Sequence, residues 1–112
     1  MLENVKDGGC MLFMSSAITR MKGKFPPHIH ADWRASVVSA EDWLIEGMRR
    51  DPEVIERGIK IHSIAPAGVV SPFHSGGEIP ESRLIPINNV VNAVVKVLAS
   101  NKSEDIQLIP EE

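Results

Sequence analysis

Between Gly9 and Ser15 the chain runs through an unbroken apolar stretch, Cys10-Met11-Leu12-Phe13-Met14. Successive side chains of a strand point to opposite faces, so a strand with one wet face alternates apolar and polar residues. An uninterrupted run instead predicts a strand buried on both faces, the situation of parallel sheets covered by helices on each side. This segment restricts the fold more than any other. It demands further strands beside it and covering layers above and below.

The rest of the chain supplies both. Met1 to Lys6 reads as the last turn or two of a helix, ended by Asp7-Gly8-Gly9, because glycine readily takes the left-handed helix-stop conformation. Ser15 to Ile29 is punctuated by Lys22-Gly23-Lys24 and Pro26-Pro27 and reads as a loop. A helix is expected from about Asp32 to Arg50, with Asp32 as its N-cap. Trp33, Val37, Ala40, Leu44 and Met48 recur at spacings of three and four as its apolar stripe, widened by Val38 and Ile45. Asp51-Pro52-Glu53 starts a second short helix that Gly58 ends.

A second strand is expected over Ile59 to Ala65, broken by Pro66-Ala67-Gly68. Ser71 to Ile85 reads as a loop, and Pro86 opens a last helix to about Ser100. Val90, Val91, Val94, Val97 and Leu98 are its expected buried face. Valine favours extended backbone, but the length and period of this stretch favour helix. Asp105 to Ile109 is a short final strand stopped by Pro110. The order strand, helix, strand, helix, strand is an α/β layout with a parallel sheet, in a single domain over residues 1–112.

Composition excludes several functions. A net charge of -3 and a pI near 5.8 argue against nucleic-acid binding and against a polybasic membrane anchor. No apolar run approaches the roughly 20 residues of a membrane helix, and Glu3, Lys6 and Asp7 interrupt any signal-like start. Cys10 is the single cysteine and cannot form an internal disulfide, which says little against the reducing cytoplasm expected for this protein. His28 and His30 with Cys10 lack the paired short spacings of a zinc site, so no metal is expected. Ser16, His30 and Asp32 are hydrolase residue types, but no G-x-S-x-G elbow accompanies them. Arg49-Arg50 reads as a solvated helix end that favours the helix dipole.

Five ordered stretches resemble the short-chain dehydrogenase/reductase family. These are Gly9 to Ser16, His30-Ala31-Asp32-Trp33-Arg34, Gly58-Ile59-Lys60-Ile61-His62, Pro66-Ala67-Gly68-Val69-Val70-Ser71-Pro72, and Val90 to Ser100. In that family a strand ending in a serine pair precedes Y-x-x-x-K at a helix start. G-I-R-V-N then leads into a strand that ends in P-G-x-V-x-T, before a last helix and strand. The resemblance covers nearly the whole chain, although no single motif is specific. It implies a partial Rossmann-like, doubly wound fold holding the family's last three parallel strands and two main covering helices. It also implies a left-handed final crossover, against the general right-handed rule.

The same resemblance implies hydride transfer between a nicotinamide and a carbonyl or alcohol, and a departure from it. Ser16 stands at the family's catalytic serine, His30 at the tyrosine and Arg34 at the lysine, and the chain contains no tyrosine. An imidazole can donate a proton near neutrality, but the neighbouring Arg34 cation would favour its neutral form. Arginine keeps its charge and offers a planar fork in place of a compact ammonium. The preferred reading is that His30 and Arg34 are solvated residues at a helix start. Pro66, Ala67, Gly68 and Ser71 correspond to the nicotinamide-side turn, with Ala67 in place of the usual glycine. The alternative is a strand-ending turn and nothing more.

The family's glycine-rich turn, which brings a helix N-terminus to the pyrophosphate, has no counterpart in this sequence. NAD or NADP is therefore implied by resemblance only, and the chain is expected to be non-catalytic by itself. Three functions stay open: a degenerate remnant of the family, a dimerisation or assembly module, and an oxidoreductase completed by another chain. A three-stranded sheet of this kind leaves an open edge beside Met11–Met14, which predicts a homo-oligomer or another chain covering it. The substrate is not legible.

Overall fold

A computed structural model describes residues 2–16, 31–67 and 85–109, with the backbone alone for 31–35. The elements in order are a 3-10 turn at Leu2–Asn4, β1 (Cys10–Met14), α1 (Ala31–Arg50), α2 (Pro52–Glu56), β2 (Lys60–Pro66), α3 (Ile87–Leu98) and β3 (Asp105–Leu108). The strands form one parallel sheet in the order β1-β2-β3. The expected helical end before Gly8 is thus one 3-10 turn. Gly8 and Gly58 both take left-handed backbone, at φ 77° and 65°, where each chain segment turns into a strand.

The two faces of the sheet are covered by different helices. Met11 and Phe13 of β1 pack with Ile61 of β2 against Ile45 and Met48 of α1 and Val54 of α2. Leu12 packs on the other face with Ile64, Ile106 and Leu108, against Ala93, Val94 and Val97 of α3. Alternate residues of one strand therefore enter separate cores, as the unbroken apolar run of β1 requires. The result is a partial doubly wound, Rossmann-like layer.

This layering fixes the chirality of the connections. Both crossovers step the same way along the sheet, from β1 to β2 and from β2 to β3, between parallel strands. Their helices lie on opposite faces. Changing the face while keeping the step reverses the hand, so one crossover is right-handed and the other left-handed. Left-handed crossovers are about one in fifty among such units.

Helix α2 begins as expected. The Asp51 carboxylate accepts from the Glu53 N–H at 2.8 Å, and Pro52 occupies the first turn. At its end Arg57 donates to Asp7 Oδ1 at 2.7 Å, to the Leu2 carbonyl at 3.1 Å and to the Val5 carbonyl, clasping the amino-terminal turn.

Two expectations about α1 need correction. The helix starts at Ala31, so Asp32 lies inside its first turn and is not the N-cap. Ile45 and Met48 are buried and Val38 is half-buried, while Val37, Ala40 and Leu44 are exposed. Apolar residues lie on more than one face of α1, and the sheet selects the face that carries Ile45. In α3 Ala93 and Val97 are buried and Val90 and Val94 half-buried; Val91 and Leu98 are exposed beside Ile87 and Val95. The apolar arc of α3 is wider than the three strands can cover.

Candidate functional site

Open α/β sheets bind ligands beyond the carboxyl ends of their strands. At that end β1 and β2 are level, with Met14 paired to Ile64, and the Ser15 N–H donates to the Ile64 carbonyl at 2.8 Å. On the far side of β2, Pro66 pairs with Leu108 and the Ala67 N–H donates to the Leu108 carbonyl at 2.8 Å. Ser16 and Pro66–Ala67 therefore leave the sheet at the same end of adjacent strands, all half-buried. Arg34 lies in the first turn of α1, in the stretch where only the backbone is described. His30, Gly68 and Ser71 lie outside the described residues. Of the positions singled out in the sequence, Ser16, Pro66 and Ala67 are those the described residues bring together.

Beside them the Ser15 hydroxyl donates to Asp42 Oδ1 at 3.0 Å, fastening the end of β1 to the middle of α1. Burial, then repulsion from Asp42, raises the pKa of the neighbouring Glu41 carboxyl above the ordinary value. This end of the layer is thus a hydroxyl and two carboxylates on a strand–helix junction.

A dinucleotide finds no phosphate cradle in the described residues. Gly8 and Gly9 precede β1, and Gly58 precedes β2, which puts these glycines at the amino ends of the strands. A pyrophosphate would sit at the opposite end, on a glycine turn that follows a strand. Among the described residues no glycine turn stands at that end. Among the described residues no three His, Cys, Asp or Glu side chains are grouped to hold a metal ion. No described helix is long and apolar enough to cross a membrane.

The amino end of the sheet holds polar residues that sequence reasoning missed. Strand β3 begins at Asp105, opposite Ser63, so Ile61 lies short of the β2–β3 ladder. Its N–H is taken by Ser103 Oγ at 2.9 Å, and its carbonyl by Arg49 Nη2 at 2.8 Å and Nε at 3.1 Å. Arg49 is therefore not the solvated residue expected from its place at a helix end; Arg50 beside it is exposed. The available signal was its position four residues after Ile45, on the inward face of α1. His62 is the other omission. Its side chain is 0% exposed, and Nδ1 accepts from the Glu104 N–H at 3.2 Å. Burial lowers the pKa of its ring; Glu104 opposes this, while Lys60 and Arg49 reinforce it.

Compared with models of known families the sequence matches none, and no curated protein matches it.

Proposed function

We propose that this chain is a short-chain dehydrogenase/reductase-like module that acts in assembly and is not catalytic by itself. The observation that carries the assembly reading is the edge of β1. The Gly9 carbonyl accepts from Lys60 N–H at 3.0 Å and the Ser15 N–H donates to Ile64 O at 2.8 Å. Backbone groups alternate sides along a strand, so odd-numbered residues here address β2 and Cys10, Leu12 and Met14 address the opposite side. No described strand lies there. An unpaired strand edge is a template for another chain. Exposed apolar residues on α1 (Val37, Leu44 and Trp43, the last 72% exposed) add a second surface of the same kind.

Support for the family reading comes from the opposed hands of the two crossovers, since the resemblance implies a left-handed final one. Support for the absence of catalysis comes from the lack of tyrosine and, among the described residues, from glycine turns at Gly8 and Gly58 that lie at the amino ends of the strands. Light scattering coupled to sizing chromatography tests the assembly reading. The expected mass is at least twice the 12.3 kDa of one chain, and a monomer at every concentration overturns it. Fluorescence titration with NADH and NADPH tests the rest: saturable binding to the isolated protein would refute the non-catalytic reading.

A second reading, an oxidoreductase completed by another chain, draws on Ser16 and Pro66–Ala67 meeting at one end of adjacent strands. That reading requires a partner carrying a glycine-rich turn directly after a strand. A neighbouring reading frame without such a sequence counts against it.

A further inference from the structure

We propose that His62 is an acid-sensitive latch on the joint between β2 and β3. The ring is fully buried near the start of β2, in register with Leu12 on one side and beside Glu104 on the other. Because Nδ1 accepts from the Glu104 N–H at 3.2 Å, the proton of the neutral ring sits on Nε2. Nε2 is buried and has no hydrogen-bond partner among the described residues. Among the described residues the ring is thus held at one nitrogen, and that bond exists only while Nδ1 is unprotonated.

What the bond holds is the peptide that leads into β3. The Glu104 N–H goes to His62, and the Glu104 carbonyl accepts from Ser63 N–H at 2.9 Å. Strand β3 is four residues long and its outward residues, Asp105 and Gln107, are exposed. Its attachment to β2 therefore leans on this junction. Protonating His62 sets a donor against the Glu104 N–H and places a cation in a buried site. Lys60 on β2 and Arg49 on α1 are cations nearby, and Arg49 is already engaged with Asp105. Glu104 is the anion that favours protonation. Strand β1 carries no charged residue, and the charged residue of α3, Lys96, is exposed.

The sign follows from the burial of the ring. Its pKa is lower in the folded chain than in the unfolded one, so on acidification the unfolded chain binds the proton first. Stability is complete above the ordinary imidazole range and falls as the pH drops through it, levelling off once the folded ring titrates. Each unit of separation weakens the folding equilibrium by about tenfold.

The test is a pH titration of the full chain by NMR, from about pH 7.5 to about pH 5, with urea unfolding of wild type and His62→Asn in parallel. Asparagine can accept from the Glu104 N–H and does not titrate, so the variant separates His62 from the other histidines. The expected result is one midpoint, below the ordinary imidazole value, for the His62 ring and the Glu104 amide. The acid loss of stability should also be smaller in His62→Asn. A Glu104 amide that stays still while the ring titrates overturns the latch, as does an equal acid loss in the variant. Should His62→Asn fail to fold, the wild-type titration alone decides.

Discussion

Arg49 at the last turn of α1 grips Asp105, the first residue of β3, through two bonds, Nη2 to Oδ1 at 2.8 Å and Nη1 to Oδ2 at 2.9 Å. Between them lies β2, whose Ile61 carbonyl accepts from the same guanidinium. One planar cation thus joins the covering helix to a strand two places along the sheet, and fills the backbone position that β3 is too short to reach. The alternation of β3 permits this: Ile106 and Leu108 face α3, which turns Asp105 toward the α1 side.

Removing that cation should cost more than removing its exposed partner. Arg49→Ala leaves the Ile61 carbonyl without its side-chain donors and is expected to lower stability by about 2–3 kcal/mol. Arg49→Lys should fall between, since an ammonium cannot reproduce the fork. Asp105→Asn loses an ion pair whose carboxylate is 64% exposed, so about 1 kcal/mol or less is expected. Urea unfolding of the three variants checks the order. Equal losses for Arg49→Ala and Asp105→Asn would show that the carbonyl contact contributes nothing.

The alternation of backbone groups along β1 makes adjacent positions respond oppositely to proline. At Phe13 the N–H faces β2, and Phe13→Pro should cost about 3 kcal/mol through a lost ladder bond and lost packing. At Met14 the N–H faces the edge where no described strand lies and the side chain is exposed, so Met14→Pro should change stability by no more than about 1 kcal/mol. The same change should reduce self-association, because it removes a donor from the edge. A folded Met14→Pro protein of unchanged mass in light scattering would place the contact elsewhere, on α1 for instance.

Glu41 gives a pH dependence opposite to that of His62. Its pKa is raised in the folded chain, by burial first and by Asp42 second, so the folded chain holds this proton more tightly than the unfolded one. Stability from this group is present at acid pH and is lost as the pH rises through the folded value. Glu41→Gln should therefore raise the urea midpoint at neutral pH, with the advantage vanishing near about pH 4. An advantage of equal size at both pH values would mean that the effect is not electrostatic.

Much of the fold is legible in the residues because local chemistry and global layout agree. The strand at Cys10–Met14 stands where the apolar run places it, and α2 starts at the cap formed by Asp51 and Pro52. The second strand and the last helix lie within a residue or two of their expected bounds. Such elements are written in short-range patterns: runs, periods, caps and glycine turns. The shared carboxyl end of Ser16 and Pro66–Ala67 follows once the strands are parallel and adjacent.

Facing and partnership are different. Nothing in the order of residues distinguishes the Val37–Leu44 stripe of α1 from the one through Ile45, since both have helical spacing; the sheet chose. Nothing local marks His62 as buried, and the spacing of Arg49 from Ile45 points it inward only once the sheet has chosen the Ile45 face. A histidine in a strand is wet or dry according to which strands and helices flank it, and β2 is the strand flanked on both edges and covered on both faces. The sequence by itself determined which segments become strands and helices and that the layer is parallel. Only the tertiary structure decided which helix face meets the sheet, and which polar groups at its amino end lose water and must find each other. The reason is range: period and capping act over a few residues, whereas the Arg49–Asp105 and His62–Glu104 contacts join groups dozens of residues apart.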